Sequence, residues 1–315
     1  MNQSRKMTDG ALMLAIFMVL LFITIFVPVI SIISMFFLPI PFVFFASRYG
    51  FKPSLLMFAV AMLLTTLFTT FFSLPLAVLM GLGGLTIGSA IYKGLSPYET
   101  WARGTLGFVI GLLFVFVFSQ VLFSVNLVEE FELIVTDSLE MSASLMEQFG
   151  AAEQTEAIGE LLELQVQVLI DLLPVGVALS AILLAFLSQW ISYKFINRIE
   201  RKQLRFPPFR NLRFPTSIIW VYFFALLLSF FNLDPSGIYF MAVQNVIVLT
   251  GLLMTLQGFS FIFFYAHHKK MSKFIPIFSI VLTILFPTFL LYFVRILGII
   301  DIGFRLRDRL KNGNK

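Results

Sequence analysis

The stretch ALMLAIFMVLLFITIFVPV occupies residues 11–29 and decides the class of fold. It carries no charged side chain and is close to the ~20 apolar residues that an α-helix needs to cross a bilayer. Arg5 and Lys6 lie in the short leader before it. Because no small-residue cleavage site and polar mature domain follow it, we interpret it as a retained membrane span and not as a cleaved signal peptide.

The rest of the chain has the same apolar character. Hydrophobic residues make up 59% of the 315 and charged residues 12%, and the mean hydropathy is +0.96. A soluble protein of this length needs a more charged surface. Cysteine is absent, which excludes disulfides, thiol catalysis and thiolate metal sites. We therefore predict an all-α, polytopic transmembrane helical bundle.

Eight apolar segments are long enough to span. They are residues 11–29, 30–47, 53–72, 74–92, 104–126, 165–193, 216–231 and 238–265. A ninth apolar segment, 274–300, is interrupted by Pro276 and Pro287. We expect it to cross once, since ~27 residues are few for two crossings. The alternative is a hairpin broken at Pro287.

The basic residues predict the orientation. Lys and Arg accumulate on cytoplasmic loops, and placing the N-terminus in the cytoplasm of a cell-membrane protein puts each basic connector of the first eight spans inside. The strongest is 194–213, with seven Lys and Arg, and 267–273 is another. A single crossing over 274–300 would leave the basic tail outside, against this rule.

The middle of the chain is acidic. Residues 127–165 hold ten acidic residues and no Lys or Arg, and apolar residues recur at helical spacing from Phe131 to Phe149 and again from Ile158 to Leu162. We predict an extracellular insert of two amphipathic helices broken near Gly150. The chain then divides into spans 1–5 (1–126), the acidic insert (127–165) and the later spans with the basic tail (166–315).

Several of these features resemble the YybS family of uncharacterised membrane proteins from Gram-positive bacteria. The features are the loop RYGFK at 48–52, the Gly-rich fourth span, the acidic insert and the ending LGIID at 297–301. This resemblance implies a membrane location but no activity. The first six spans, roughly 11–196, also resemble the substrate-binding membrane subunits of energy-coupling-factor vitamin transporters, without any matching substrate residues.

Small residues predict close helix packing. Gly84 and Gly88 in the fourth span, and Gly107 and Gly111 in the fifth, form small-xxx-small pairs, which let helix backbones approach in lipid. The alternative is a backbone surface open to a ligand. The run is not a dinucleotide fingerprint, since Thr86 stands where a third Gly is needed and no strand precedes it.

Polar side chains within spans are candidates for solute binding. The substrate-binding candidates are Asp171, Gln244, Asn245 and Gln257. Asp171 lies three residues before Pro174, which would open the helix locally, although an interfacial role explains it as well. Arg295 is expected to reach the headgroups or to pair with Asp301.

No catalytic, cofactor or nucleic-acid motif stands out. His267 and His268 lie among lysines without a third ligand, which disfavours a metal site, and nucleophile-elbow, Walker and zinc-protease patterns are absent. We expect no enzymatic activity and no cofactor. The sequence favours a small-solute transporter or substrate-binding membrane subunit in contact with lipid. The alternative is a membrane scaffold that binds proteins through the acidic helices or the basic Pro/Phe loop at 194–213.

Overall fold

The structure is a computed structural model that describes residues 3–124, 126–148, 166–234 and 237–312, and within these ranges it contains helices and turns but no strand. The chain divides into two compact units, Met1–Phe206 and Pro207–Lys315. This division does not follow the grouping 1–126, 127–165 and 166–315, because the first long helix after the acidic insert packs within the first unit.

The first unit is built around one central helix. Its helices are α1 (Gln3–Phe26), α2 (Pro28–Met35), α3 (Ile40–Tyr49), α4 (Phe51–Phe68), α5 (Leu74–Tyr92), α6 (Pro97–Phe123), α7 (Leu127–Gln148) and α8 (Leu173–Glu200). The most buried of the candidate spans contains α5, which contacts α3, α4 and α6. The core around it includes Phe17, Phe42 and Phe108, all fully buried.

The second unit contains α9 (Ser217–Ser229), α10 (Ile238–His268), α11 (Phe274–Leu285), α12 (Pro287–Phe304) and α13 (Leu306–Asn312). The longest helix, α10, packs mainly against α12 and also against α9. A 3₁₀ turn at Phe209–Asn211 also lies against α10.

Among the described residues, eight helical segments are long and apolar enough to cross a membrane. They are Gln3–Phe26, Pro28–Tyr49, Phe51–Phe68, Phe71–Tyr92, Pro97–Leu122, Leu173–Glu200, Ile238–His268 and Pro287–Phe304. The polytopic helical fold is thus confirmed, but the set differs from the predicted one. The seventh predicted span, 216–231, forms only the 13-residue helix α9, which is about 20 Å long and shorter than the ~30 Å hydrocarbon core.

The segment 274–300 does not form the single expected span. It forms α11 and α12, which are separated at Phe286 (φ −127°, ψ 62°). Pro287 explains the break, because its ring lacks an N–H and disfavours a helical conformation in the preceding residue.

The helix after this break runs parallel to α10. Gly251 lies beside Arg295 and Met254 beside Gly298, and contacts that advance together along two helices require parallel directions. The ends of α10 and α12 are therefore on the same side. The basic tail after α12 therefore lies at the same end of the second unit as the 269–273 turn. A single crossing over 274–300 would have placed the tail at the opposite end, so that expectation is corrected.

The first part of the acidic insert is helical, as predicted. Helix α7 covers residues 127–148, and Phe131, Val135 and Leu139 are half-buried along one side of it. The predicted break near Gly150 and the second amphipathic helix lie outside the described residues. The extracellular position of this segment remains a prediction.

Candidate polar site of the second unit

The glycines predicted to mediate packing lie at helix contacts of the first unit. They are Gly84, Gly88, Gly107 and Gly111. A Cβ at Gly84 would lie 2.5 Å from the carbonyl oxygen of Pro39, next to α3, and a Cβ at Gly111 would lie 2.8 Å from the Cα of Leu79 on α5. Protein atoms fill the space beside these glycines, which fits a packing role and not a surface open to a ligand.

A second set of glycines joins α10 to α12, and sequence reasoning missed it. A Cβ at Gly258 would collide with the carbonyl oxygen of Val294, and one at Gly298 with that of Met254. The two helices therefore touch backbone to backbone. The available signal was Gly251 and Gly258, seven residues apart and so on one helix face.

This close contact supports a buried ion pair. Arg307 Nη2 lies 2.8 Å from Asp301 Oδ2, and the two side chains are only 2% and 3% exposed. Gln257 on α10 donates from Nε2 to the same Asp301 oxygen at 2.6 Å. Arg305, with φ +50°, ends α12 in a left-handed turn, and this turn brings Arg307 back towards Asp301. Burial costs each charge its hydration, so pairing and hydrogen bonding must compensate.

The same residues hold the connecting loop that begins the second unit. Arg307 Nη1 donates to the carbonyl oxygens of Arg210 (2.8 Å) and Leu212 (3.0 Å), while Nη2 donates to Ser260 Oγ at 3.1 Å. The N–H of Phe214 donates to Gln257 Oε1 at 3.1 Å. The loop after residue 206 and the basic tail are thus fixed to each other on one side of the unit.

A polar cavity of about 310 Å³ opens beside this cluster. Its lining includes Gln257 and Asp301 together with Arg213, Arg305 and Asp308. Arg213 bridges Asp308 at 2.8 Å, and both side chains are about half exposed, at 45% and 47%. The hydrogen bond from Arg213 holds the pKa of Asp308 below its usual range. Counting the neighbouring Arg307, three guanidinium groups face two carboxylates, which leaves a positive excess.

The predicted solute-binding residues do not converge on one site. Only Gln257 lines the polar cavity. Gln244 is half-buried, and Asn245 donates to the carbonyl oxygen of Met241 at 2.8 Å. Both lie more than three turns from Gln257 on α10, about 18 Å away. Asp171 belongs to the first unit, where it accepts a hydrogen bond from Gln167 at 3.0 Å.

Arg295, which lies in the candidate span Pro287–Phe304, does not pair with Asp301, which bonds Arg307 and Gln257 instead. The Arg295 guanidinium lies against Gly251 and over the ring of Tyr292 at 5.2 Å. Its Nη1 is 3.4 Å from the hydroxyl of Tyr222. Proximity in sequence suggested the wrong partner for Asp301, because the left-handed turn brings the tail arginine closer.

The first unit has its own polar cluster, built on the RYGFK loop. Arg48 Nη1 donates to Asp9 at 2.9 Å, Arg48 Nε donates to Glu200, and Tyr49 donates to Asp9 at 2.7 Å. These contacts join α1, α3 and α8 at one end of the unit. The Arg and Tyr of this loop therefore fasten three helices together.

Fold and site together define a polytopic α-helical membrane protein with a buried ion pair and a polar cavity in its second unit. The chain belongs to the family described as "Predicted membrane protein (DUF2232)", which matches residues 15–302. It is 29% identical over 311 residues to the uncharacterised protein YybS of Bacillus subtilis (strain 168), a match that covers 99% of this chain and all of the relative. No solved structure matches the chain.

Proposed function

We propose that this protein is a small-solute transporter or a substrate-binding membrane subunit, and that a small anionic or zwitterionic solute binds in the polar cavity of the second unit. The observation that carries the proposal is a cavity of about 310 Å³ lined by Gln257, Asp301 and exposed guanidinium groups. This volume lies at the lower end of the range typical of ligand pockets, ~300–1,000 Å³.

Charge favours an anion in this cavity. Asp301 is already neutralised by the buried Arg307, and Asp308 by Arg213. Arg305 lines the cavity, and its side chain is exposed. Arginine presents several N–H donors in a planar fork that suits carboxylates and phosphates. Arg305 would therefore supply the positive charge that attracts the anion, and Gln257 would contribute a polar side chain to the cavity lining.

The proposed orientation places the cavity towards the cytoplasm. The loop that carries Arg213 and the tail that carries Arg305 are both basic, and basic segments accumulate on the cytoplasmic side. With the N-terminus also inside, the basic tail no longer conflicts with the charge rule.

A ligand screen by thermal shift on purified protein tests the proposal. Amino acids, short carboxylic acids, vitamins, nucleosides and simple cations would be added one at a time. A ligand present at 100 times its Kd stabilises the folded state by about 2.7 kcal/mol. We expect a stabilising anion or zwitterion, and loss of its effect in Arg305→Gln. The matched control is Arg309→Gln, an exposed tail arginine that does not line the cavity. No shift with any solute, or equal shifts in both variants, would contradict the proposal.

The scaffold alternative is favoured by one observation on α7. Leu133 and Ile134 are 57% and 62% exposed on this acidic helix, beside Glu129, Glu130 and Glu132. Such a surface suits a partner segment that is both basic and apolar. A photo-crosslinking side chain at Leu133 should then give a discrete adduct in native membranes, which replacing the three glutamates by lysine suppresses. An adduct that persists after this charge reversal would count against the alternative.

A further inference from the structure

A second cavity lies at another edge of the second unit, where α10 ends and α11 begins. It measures about 560 Å³ and shares no lining residue with the polar site described above. Its charged or ionisable lining residues are Arg210, His267, Lys270 and Lys273. Three separate pieces of chain supply them: the loop after residue 206, the last turns of α10 and the connection to α11.

Among the residues that the structure describes, no carboxylate lines this cavity. Residues 207–315 contain only three acidic residues, Asp234, Asp301 and Asp308, against eleven Lys and Arg. Asp301 and Asp308 bridge Arg307 and Arg213, respectively. The basic groups thus line the cavity together without a described carboxylate among them, an arrangement that attracts an anion.

The remaining walls are apolar. Phe263 and Ile277 lie on the two helices beside the basic residues. Because α10 is a candidate span that ends at His268, the cavity lies where a membrane-crossing helix meets water. A ligand that fits must carry a negative group at the basic end and hydrocarbon along the helices.

We propose that this cavity binds one anionic phospholipid, with its phosphate among Arg210, Lys270 and Lys273 and its acyl chains along Phe263 and Ile277. Charge-assisted hydrogen bonds from Arg and Lys are the usual means of holding a phosphate. Basic pockets between membrane helices on the cytoplasmic side bind lipid headgroups in the same way. This site is independent of the proposed solute site, since the two cavities have separate linings.

Native mass spectrometry of the full-length protein in detergent tests the proposal. The protein would be incubated with equimolar 1-palmitoyl-2-oleoyl phosphatidylglycerol and phosphatidylcholine, and the retained lipids counted. The triple variant Arg210→Gln/Lys270→Gln/Lys273→Gln removes the charges and keeps long polar side chains. The control is Lys269→Gln, the neighbouring lysine that does not line the cavity. Circular dichroism and the melting temperature would verify that both variants fold.

We expect the wild type and Lys269→Gln to retain one phosphatidylglycerol in preference to phosphatidylcholine. The triple variant should lose this preference by at least about tenfold, because each basic residue near a membrane contributes measurably to binding of anionic lipid. Equal retention by the triple variant, or equal binding of the two lipids by the wild type, would overturn the proposal. Complete displacement of the lipid by millimolar sn-glycerol 3-phosphate would also overturn it, since a soluble phosphate would then be the ligand.

Discussion

Removing the carboxylate of the buried ion pair should destabilise the protein more than any single change at its surface. In Asp301→Ala the guanidinium of Arg307 stays buried, at 2% exposure, without its counter-charge. Breaking a buried pair from one side costs about 3–5 kcal/mol. Arg307 would keep the carbonyl oxygens of Arg210 and Leu212 and the hydroxyl of Ser260, which places the expected loss near the lower limit, about 3 kcal/mol.

The assay is an equilibrium unfolding titration with sodium dodecyl sulfate in mixed micelles, followed by tryptophan fluorescence. A loss of about 3 kcal/mol lowers the folding equilibrium constant by a factor of about one hundred. Asp308→Ala is the matched control, because it removes a carboxylate from a second Asp–Arg pair of the same unit, Asp308 with Arg213, whose side chains are about half exposed. Exposed pairs contribute little, so the control should unfold like the wild type. Similar losses in the two variants would refute the inference that Asp301 and Arg307 are buried together.

Three further results follow from the contacts. Gly258→Ala should destabilise the protein by about 1–3 kcal/mol, because the added methyl meets a backbone carbonyl. Gly176→Ala is the control, since no atom of the described residues lies within 4 Å of the added methyl, and it should be neutral or stabilising in the same unfolding assay. Gln189→Leu should cost about 1–3 kcal/mol in that assay, because this buried amide donates to a carbonyl oxygen at 2.9 Å and to a tyrosine hydroxyl at 2.7 Å; an unchanged midpoint would contradict the buried bonds. The lowered pKa keeps Asp308 ionised even below its unfolded pKa, so the bridge to Arg213 should persist from about pH 5 to pH 8 and be lost only as the pH falls through the folded pKa. Because Asp308→Asn removes a negative charge from the cavity lining and releases Arg213, a stabilising anion should bind more tightly to this variant than to the wild type across that range, and equal or weaker binding would contradict the positive excess of the cavity.

Hydropathy predicted most of the spans correctly because the bilayer imposes their length. A segment such as 238–265 must be apolar over ~20 residues wherever it packs, so its pattern needs no tertiary information. The prediction failed where chain direction depended on local geometry. The break at Pro287 turns one apolar segment into two helices, and counting apolar residues cannot distinguish this from a single long span.

The polar site was largely hidden from the sequence for a related reason. Gln257 could be selected as an amide within a span, but its partners Asp301 and Phe214 are 44 and 43 residues away along the chain. Asp301 meets Arg307 only because Arg305 adopts a left-handed conformation that non-glycine residues rarely adopt. The periodicity of apolar residues does not predict the left-handed turn at Arg305, and the polar cavity depends on this turn.

The basic tail of the second unit lies on the same side as the loop after residue 206, and cysteine labelling tests this placement most directly. The chain has no native cysteine, so Asn211→Cys and Lys311→Cys can each carry the only thiol. A membrane-impermeant maleimide should reach both positions from the same side of sealed vesicles, and neither from the other side before permeabilisation. Labelling of the two positions from opposite sides would contradict the placement and, with it, the site formed by Gln257, Asp301 and Arg307.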